Sequence, residues 1–188
     1  MRTRILAAAA ALSLALGGSF PAFETEKPAG TDAPQAVREI LIEPPKIRLS
    51  DSLSSTLNSL SVSSGNYEWY CGDGGEMRGV IACGSAPLTE AVSESAKKLE
   101  VPEYNRLDAV PYRLSADVQP DEITLIRWDA ADIGKTEAEA EEEKVYDEEP
   151  FLLELNGGKV YQVTAEWKEE KQEERGYYGT AEYVFVTE

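Results

Sequence analysis

The sequence predicts a mainly β fold, an antiparallel sandwich preceded by an N-terminal signal helix and a flexible linker. Three observations predict it: segments of strict apolar/polar alternation, turn signals recurring every ten residues or so, and little helical periodicity. Alternation is clearest at Tyr112, Leu114, Ala116 and Val118, with Arg113, Ser115 and Asp117 facing the other way. That is a strand with one wet face. Pro120-Asp121 makes the next turn, and Ile123 to Trp128 forms a second strand with few polar residues. Phe151, Leu153 and Leu155 lead into Asn156-Gly157-Gly158, a strong turn signal. Beyond it Tyr161, Val163, Ala165 and Trp167 share one face, and a last strand sets Ala181, Tyr183 and Phe185 opposite Val184 and Val186. Upstream, Tyr67, Trp69 and Cys71 alternate before Gly72-Asp73-Gly74-Gly75, with Val80 to Cys83 as the return strand. Pro45 to Ser50 and Ser59 to Ser63 are weaker strand candidates.

Helix signals are few. Leu88 to Leu99 suits a short helix with Thr89 as cap and Val92 and Ala96 on one face. Thr136 to Glu143 has helical propensity but no apolar stripe.

The first residues have a different character. Arg2 and Arg4 precede the apolar stretch Ile5 to Leu16, and small residues follow at Gly17, Gly18 and Ser19. This is the layout of a secretory signal, and the run is shorter than the roughly 20 residues a membrane span needs. From Phe20 to Glu43, Pro21, Pro28 and Pro34 stand among Ala, Thr, Glu and Gly, with little apolar surface to offset the entropy of ordering. The expected organisation is therefore a signal peptide at 1–19, a linker at 20–43 and a β domain at 44–188. A secreted or extracytoplasmic location follows, with no membrane span in the mature chain. The first cysteine, Cys71, lies far beyond the apolar run, which favours release over lipid anchoring.

The net charge is −17, and removing the leader takes away two arginines and no acid. Such a surface repels nucleic acid and anionic membranes and favours cationic partners, divalent ions or plain solubility. Cys71 and Cys83, the only cysteines, bracket a glycine-rich turn. In an oxidising compartment they suit a hairpin disulfide, with two free buried thiols as the alternative.

From Tyr112 onward the order of features resembles the second half of an immunoglobulin or fibronectin type III domain. In that resemblance Tyr112 to Val118 is strand B, and Ile123 to Trp128 is strand C with Trp128 as its core tryptophan. Phe151 to Leu155 is strand E, with Asn156-Gly157-Gly158 as the corner into strand F. Tyr161 stands where the tyrosine corner falls, and Tyr178 to Val186 is strand G. Cys71 and Cys83 do not lie on strands B and F, so the inter-sheet disulfide of antibody domains has no counterpart. A narrower resemblance, carried by Gly65-Asn66-Tyr67-Glu68-Trp69 and Pro87-Leu88, is to poorly characterised domains in exported proteins of Gram-positive bacteria. Similar domains accompany membrane metallopeptidases of the antibiotic-sensor type. This sequence has neither their membrane helices nor a zinc motif, so the resemblance implies an accessory or sensing role without transferring an activity.

The absence of histidine removes Ser-His-Asp and Cys-His nucleophile activation and every histidine-bearing zinc or iron site. Ser95-Ala96-Lys97-Lys98 matches S-x-x-K, but the S-D-N and K-T-G companions of that motif are missing. Paired carboxylates could run glycoside hydrolysis, yet acids are too frequent here for any pair to be singled out. Calcium is the one cofactor the composition suggests. Glu137, Glu139, Glu141, Glu142, Glu143, Asp147, Glu148 and Glu149 crowd one stretch, and Asp129 and Asp132 lie just before it. Asp129, Asp132, Glu141 and Asp147 are the candidate ligands; a solvated loop is the alternative. Tyr70, Tyr146, Tyr177 and Tyr178 do not fit the inward alternation, and Tyr177-Tyr178 falls in the expected F–G loop. Tyr177, Tyr178 and Tyr146 are therefore candidate binding residues, or else aromatics packing on their own sheet. The expected function is an exported, non-enzymatic module that binds a protein or cell-envelope partner. A small carboxylate hydrolase and a calcium-stabilised surface domain are the alternatives.

Overall fold

The structure, a computed structural model, describes residues 41–51, 59–72, 76–101 and 111–188. All of these lie in a unit running from Arg38 to Glu188. The expected signal peptide and nearly all of the expected linker lie outside the described residues. The described residues form eleven strands: β1 (Ile47–Asp51), β2 (Ser59–Val62), β3 (Tyr67–Cys71), β4 (Arg78–Ala82), β5 (Lys97–Leu99), β6 (Tyr112–Ala116), β7 (Glu122–Asp129), β8 (Glu142–Tyr146), β9 (Leu152–Leu153), β10 (Lys159–Trp167) and β11 (Tyr177–Thr187). Two short helices, α1 (Glu90–Ser95) and α2 (Gln172–Arg175), complete the set with 3₁₀ turns at Ala130–Asp132 and Glu169–Lys171.

The strands form two sheets, in the orders β2-β1-β6-β9 and β4-β3-β11-β10-β7-β8. Every pairing is antiparallel except that of β5, which runs parallel to the end of β11. One cluster of buried side chains draws on both sheets, so the molecule is mainly β and sandwich-like. The smaller sheet contributes Ile47, Leu49, Leu60, Val62, Tyr112, Leu114 and Leu153. From the larger come Trp69, Ile123, Leu125, Tyr161, Val163, Ala165, Trp167, Ala181, Tyr183 and Phe185. These are the alternate positions of each strand, as a period of two requires. Among the described residues no helix is long and apolar enough to cross a membrane.

Trp128 departs from its expected place between the sheets. With Ile123 and Leu125 pointing inward, period-two alternation sends Trp128 outward. There it joins Leu88, Val160 and Val186 in a second cluster covered by the segment around Ile133. The core tryptophans are instead Trp69 and Trp167, 0% and 1% exposed, which meet edge to face at 5.2 Å. Trp69 also stacks on Tyr177, and its indole N–H donates to the Leu41 carbonyl at 2.8 Å. Ordered packing thus reaches back at least to Leu41, inside the expected linker.

Two more expectations change. The helix is shorter than Leu88–Leu99: the Thr89 hydroxyl caps it by accepting from the Val92 N–H, but Ala96 is already extended. Sheet pairing then claims Lys97–Leu99 as β5, where Leu99 is buried. The acidic stretch is not one solvated loop either, because Glu142–Tyr146 pairs along β7 as an edge strand. Arg127 on β7 makes this possible by binding Glu141 at 3.1 Å and Glu142 at 2.8 Å.

The β10–β11 connection is tied down by one carboxylate. Asp121, with its side chain 6% exposed, accepts both arms of Arg175 at 2.6 and 2.8 Å, together with the Lys171 ammonium. It also accepts the Lys168 backbone N–H at 2.8 Å. Burial alone would raise this carboxyl's pKa, but the hydrogen bonds from Arg175, Lys171 and the Lys168 backbone outweigh it and hold the group far below its ordinary value.

Candidate functional site

The larger sheet has two edges of opposite character. On β8 the sequence is Glu142-Glu143-Lys144-Val145-Tyr146, and charges at an edge discourage a further strand. On β4 it is Arg78-Gly79-Val80-Ile81-Ala82, with Val80 39% and Ile81 69% exposed. Among the described residues this strand pairs only with β3, so its outer backbone groups face away from the sheet. Register places Ile81 beside Glu68, and Glu68 beside Thr180, on the face turned away from the core.

Two glycines shape this edge. A Cβ on Gly79 would stand 2.9 Å from the Tyr70 ring, so the glycine lets that ring lie across β4. Gly179, at φ +148, brings β11 so close to β3 that a Cβ there would meet the Glu68 carbonyl oxygen at 2.2 Å. Tyr70 stacks on Tyr178 with ring centroids 4.8 Å apart, and its hydroxyl donates to the Glu68 carboxylate, which pushes the phenol's pKa up. Beside this stack lies a shallow depression of about 230 Å³ lined by Asn66, Glu68, Ile81, Cys83, Thr180 and Glu182. Its two carboxylates receive neutral donors: Tyr70 for Glu68, and the Asn66 amide at 2.7 Å for Glu182. Neither has an ion-pair partner among the described residues. Elsewhere on the sheet Glu122, Glu141 and Glu142 each hold a lysine or an arginine.

The tyrosines expected to bind are distributed differently. Tyr177 is 4% exposed and packs on Trp69, so it is a core residue and not a loop contact. The reason is local: α2 ends at Gly176 in the left-handed conformation, φ +81, and β11 begins on the next residue. Tyr178 is half-buried in the stack with Tyr70. Tyr146 is half-buried against the core at the end of β8, with the Lys144 ammonium 5.0 Å from its ring centroid. Burial pushes its phenol's pKa up, only partly offset by Lys144. It borders a cavity of about 460 Å³ whose charges are mixed, Arg127 and Lys144 against Glu141, Glu142 and Glu154.

The calcium candidates are not gathered. Asp129 and Glu141 do converge, but on the Lys159 ammonium, at 2.8 and 2.9 Å. Asp132 is occupied by Lys135 at 2.8 Å. Asp147 follows β8 at the end away from Glu141, one strand length off. Among the described residues no group of three or more acidic, cysteine or histidine side chains is placed to hold a metal ion.

The disulfide expectation is also corrected, since both cysteines are free. Register pairs Cys71 with Arg78 and Tyr67 with Ala82, which puts Cys83 about 16 Å along the hairpin from Cys71. A disulfide needs Cα atoms within about 7 Å. Cys71 is buried and Cys83 exposed. A maleimide is therefore expected to modify one thiol rapidly in the native protein and the second only on unfolding. Full modification appearing only after reduction would restore the disulfide.

The S-x-x-K residues serve the scaffold. The Ser95 hydroxyl donates to the Ala91 and Val92 carbonyls at 2.8 and 3.2 Å, and Lys98 pairs with Glu188. Sequence reasoning found the return strand at Val80 but not its position at a sheet edge, nor the unpaired acids beside it. The alternation of Glu68 with Tyr67 and Trp69 was the available signal for its outward face. Comparison with family models, curated proteins and solved structures finds no match to this chain.

Proposed function

We propose that this chain is an exported, immunoglobulin-like β-sandwich that binds a protein or cell-envelope partner and catalyses nothing. The strand order supports the fold reading. With β6, β7, β8, β9, β10 and β11 as B, C, C′, E, F and G, the pairings are B with E in one sheet and C′-C-F-G in the other. The Tyr161 hydroxyl accepts the Asn156 N–H at 2.8 Å, the bond a tyrosine corner makes to the backbone a few residues upstream. The β3–β4 hairpin, added beyond strand G, is this chain's own departure from that plan. Export rests on the leader pattern in the first 19 residues.

The observation that carries the binding reading is the β4 edge, a strand paired on one side only among the described residues, with exposed Val80 and Ile81. Such an edge is a template for another chain, which proteins ordinarily guard. Among the described residues the two carboxyl groups that are shifted are not tuned as a general acid would be. Asp121 and Asp129 are both held below their ordinary values by cations and backbone N–H groups, whereas a general acid needs the reverse.

A benzophenone side chain at position 81 tests the reading. It is expected to cross-link a discrete partner from a cell-envelope extract, saturably and in competition with unlabelled protein. The same probe at Ser61, on the edge strand of the smaller sheet, is the control. Failure to form any competed adduct from either position would overturn the binding reading.

A further inference from the structure

We infer that the β4 edge takes up a basic, extended peptide segment as an additional strand of the larger sheet; this rests on the binding reading above and names the partner's chemistry. Three features point the same way. The first is backbone: among the described residues Arg78–Ala82 pairs on one side only, and beyond Arg78 at its start it has no proline or charged residue to repel an incoming strand. The opposite edge of the same sheet carries Glu142, Glu143 and Lys144, so the two edges differ in how they are guarded.

The second is side-chain spacing. A strand laid beside β4 alternates its residues between the two faces. On the inner side they meet Val80, which register places next to Trp69 at the margin of the core. On the outer side they meet Ile81 and the rim of the depression that holds Glu68 and Glu182.

The third is charge. Strands lie about 4.8 Å apart, so an incoming strand runs roughly 10 Å from β3. A lysine or arginine on its outer face spans that distance to meet Glu68 reaching back. Among the described residues Glu68 and Glu182 hold only the neutral donors Tyr70 and Asn66, and so they offer charge that no described lysine or arginine compensates. A net charge of −17 steers cationic segments toward the molecule and acidic ones away. The specified ligand is thus an extended stretch with apolar residues on one face and lysine or arginine on the other. Its main-chain groups supply affinity and its basic residues selectivity.

Titration of the full chain with capped synthetic peptides of roughly ten residues tests this. One alternates valine and lysine, a second alternates valine and glutamate, and a third is the lysine peptide N-methylated at every other residue to remove strand hydrogen bonding. The lysine peptide is expected to bind, with the other two weaker by about ten-fold or more. Ile81→Lys, at a side chain 69% exposed, is expected to weaken the lysine peptide by a similar factor. Glu68→Gln should weaken it by about two- to five-fold and flatten the dependence on salt.

Equal binding of the N-methylated peptide, or of Ile81→Lys, would overturn the inference by showing capture by charge alone. So would an absence of binding, or self-association of the chain through position 81 in sedimentation. A competed cross-link from position 81 to an acidic or non-peptide partner would sink this inference while leaving the binding reading intact.

Discussion

Asp121→Ala is expected to cost about 3–5 kcal/mol in equilibrium unfolding, because it leaves a partly buried arginine without its counter-charge. The carboxylate does more than pair with Arg175. It also holds Lys171 and the Lys168 backbone N–H, so one side chain fastens the whole β10–β11 connection to the turn before β7. The pH dependence carries a definite sign. A carboxyl whose pKa is lower in the folded than in the unfolded protein binds fewer protons in the folded state, and it stabilises most where it is ionised in both. That contribution is complete above the ordinary value of 3.8 and is lost as pH falls toward the lower folded value. The gap in stability between the parent and Asp121→Ala should therefore be constant above about pH 5 and narrow steadily below about pH 4. Urea unfolding at several pH values measures both. A gap under about 1 kcal/mol at neutral pH would reduce the cluster to an ordinary surface ion pair.

Trp69→Ala is expected to be comparably severe, about 3–5 kcal/mol, from the cavity left by a fully buried indole. Its ring touches Trp167 at right angles and stacks on Tyr177, so truncation removes two aromatic contacts at once. The lost N–H donor also leaves the Leu41 carbonyl without its partner. Trp69→Phe should restore part of the packing without that hydrogen bond. If alanine at 69 cost no more than an exposed substitution, the β3–β4 hairpin would have no part in the core.

The two proposed roles of the hairpin, anchoring and display, draw on different residues of one strand. On β3, Trp69 and Cys71 face the core while Glu68 and Tyr70 face solvent. Period-two geometry thus lets the same five residues bind the hairpin to the domain and present an aromatic and an acid outward. Variants at Glu68 or Ile81 are accordingly suited to probing recognition without disturbing packing.

Much of the fold was legible because half-buried strands write their alternation into the sequence. Tyr112–Ala116, Glu122–Asp129, Lys159–Trp167 and Tyr177–Thr187 all stand where that pattern puts them. The errors have identifiable sources. The immunoglobulin resemblance puts Trp128 in the core, whereas the parity set by Ile123 and Leu125 turns it outward. The same resemblance puts Tyr177 in a loop, whereas the Gly176 that follows Gln172-Glu173-Glu174-Arg175 is a helix-terminating glycine and so announces where the strand begins. The acidic stretch gave no strand signal because the cation that lets it pair, Arg127, is fixed on the neighbouring strand. The edge status of β4 is a property of strand order, which local pattern does not encode. The unpaired state of Glu68 and Glu182 likewise depends on which lysines and arginines the fold brings near.

The strand at the middle of the larger sheet is also the last in chain order among the described residues. β11 pairs with β10 just before it, but also with β3, more than a hundred residues upstream, and with β5. Until it emerges, the β3–β4 hairpin has no sheet to join, and Trp69 has no Tyr177 to stack on. Closure then requires contacts between distant parts of the chain, the circumstance that slows folding most. A chain that stops before Tyr177 thus lacks the strand that joins β3, β5 and β10, and its larger sheet cannot close.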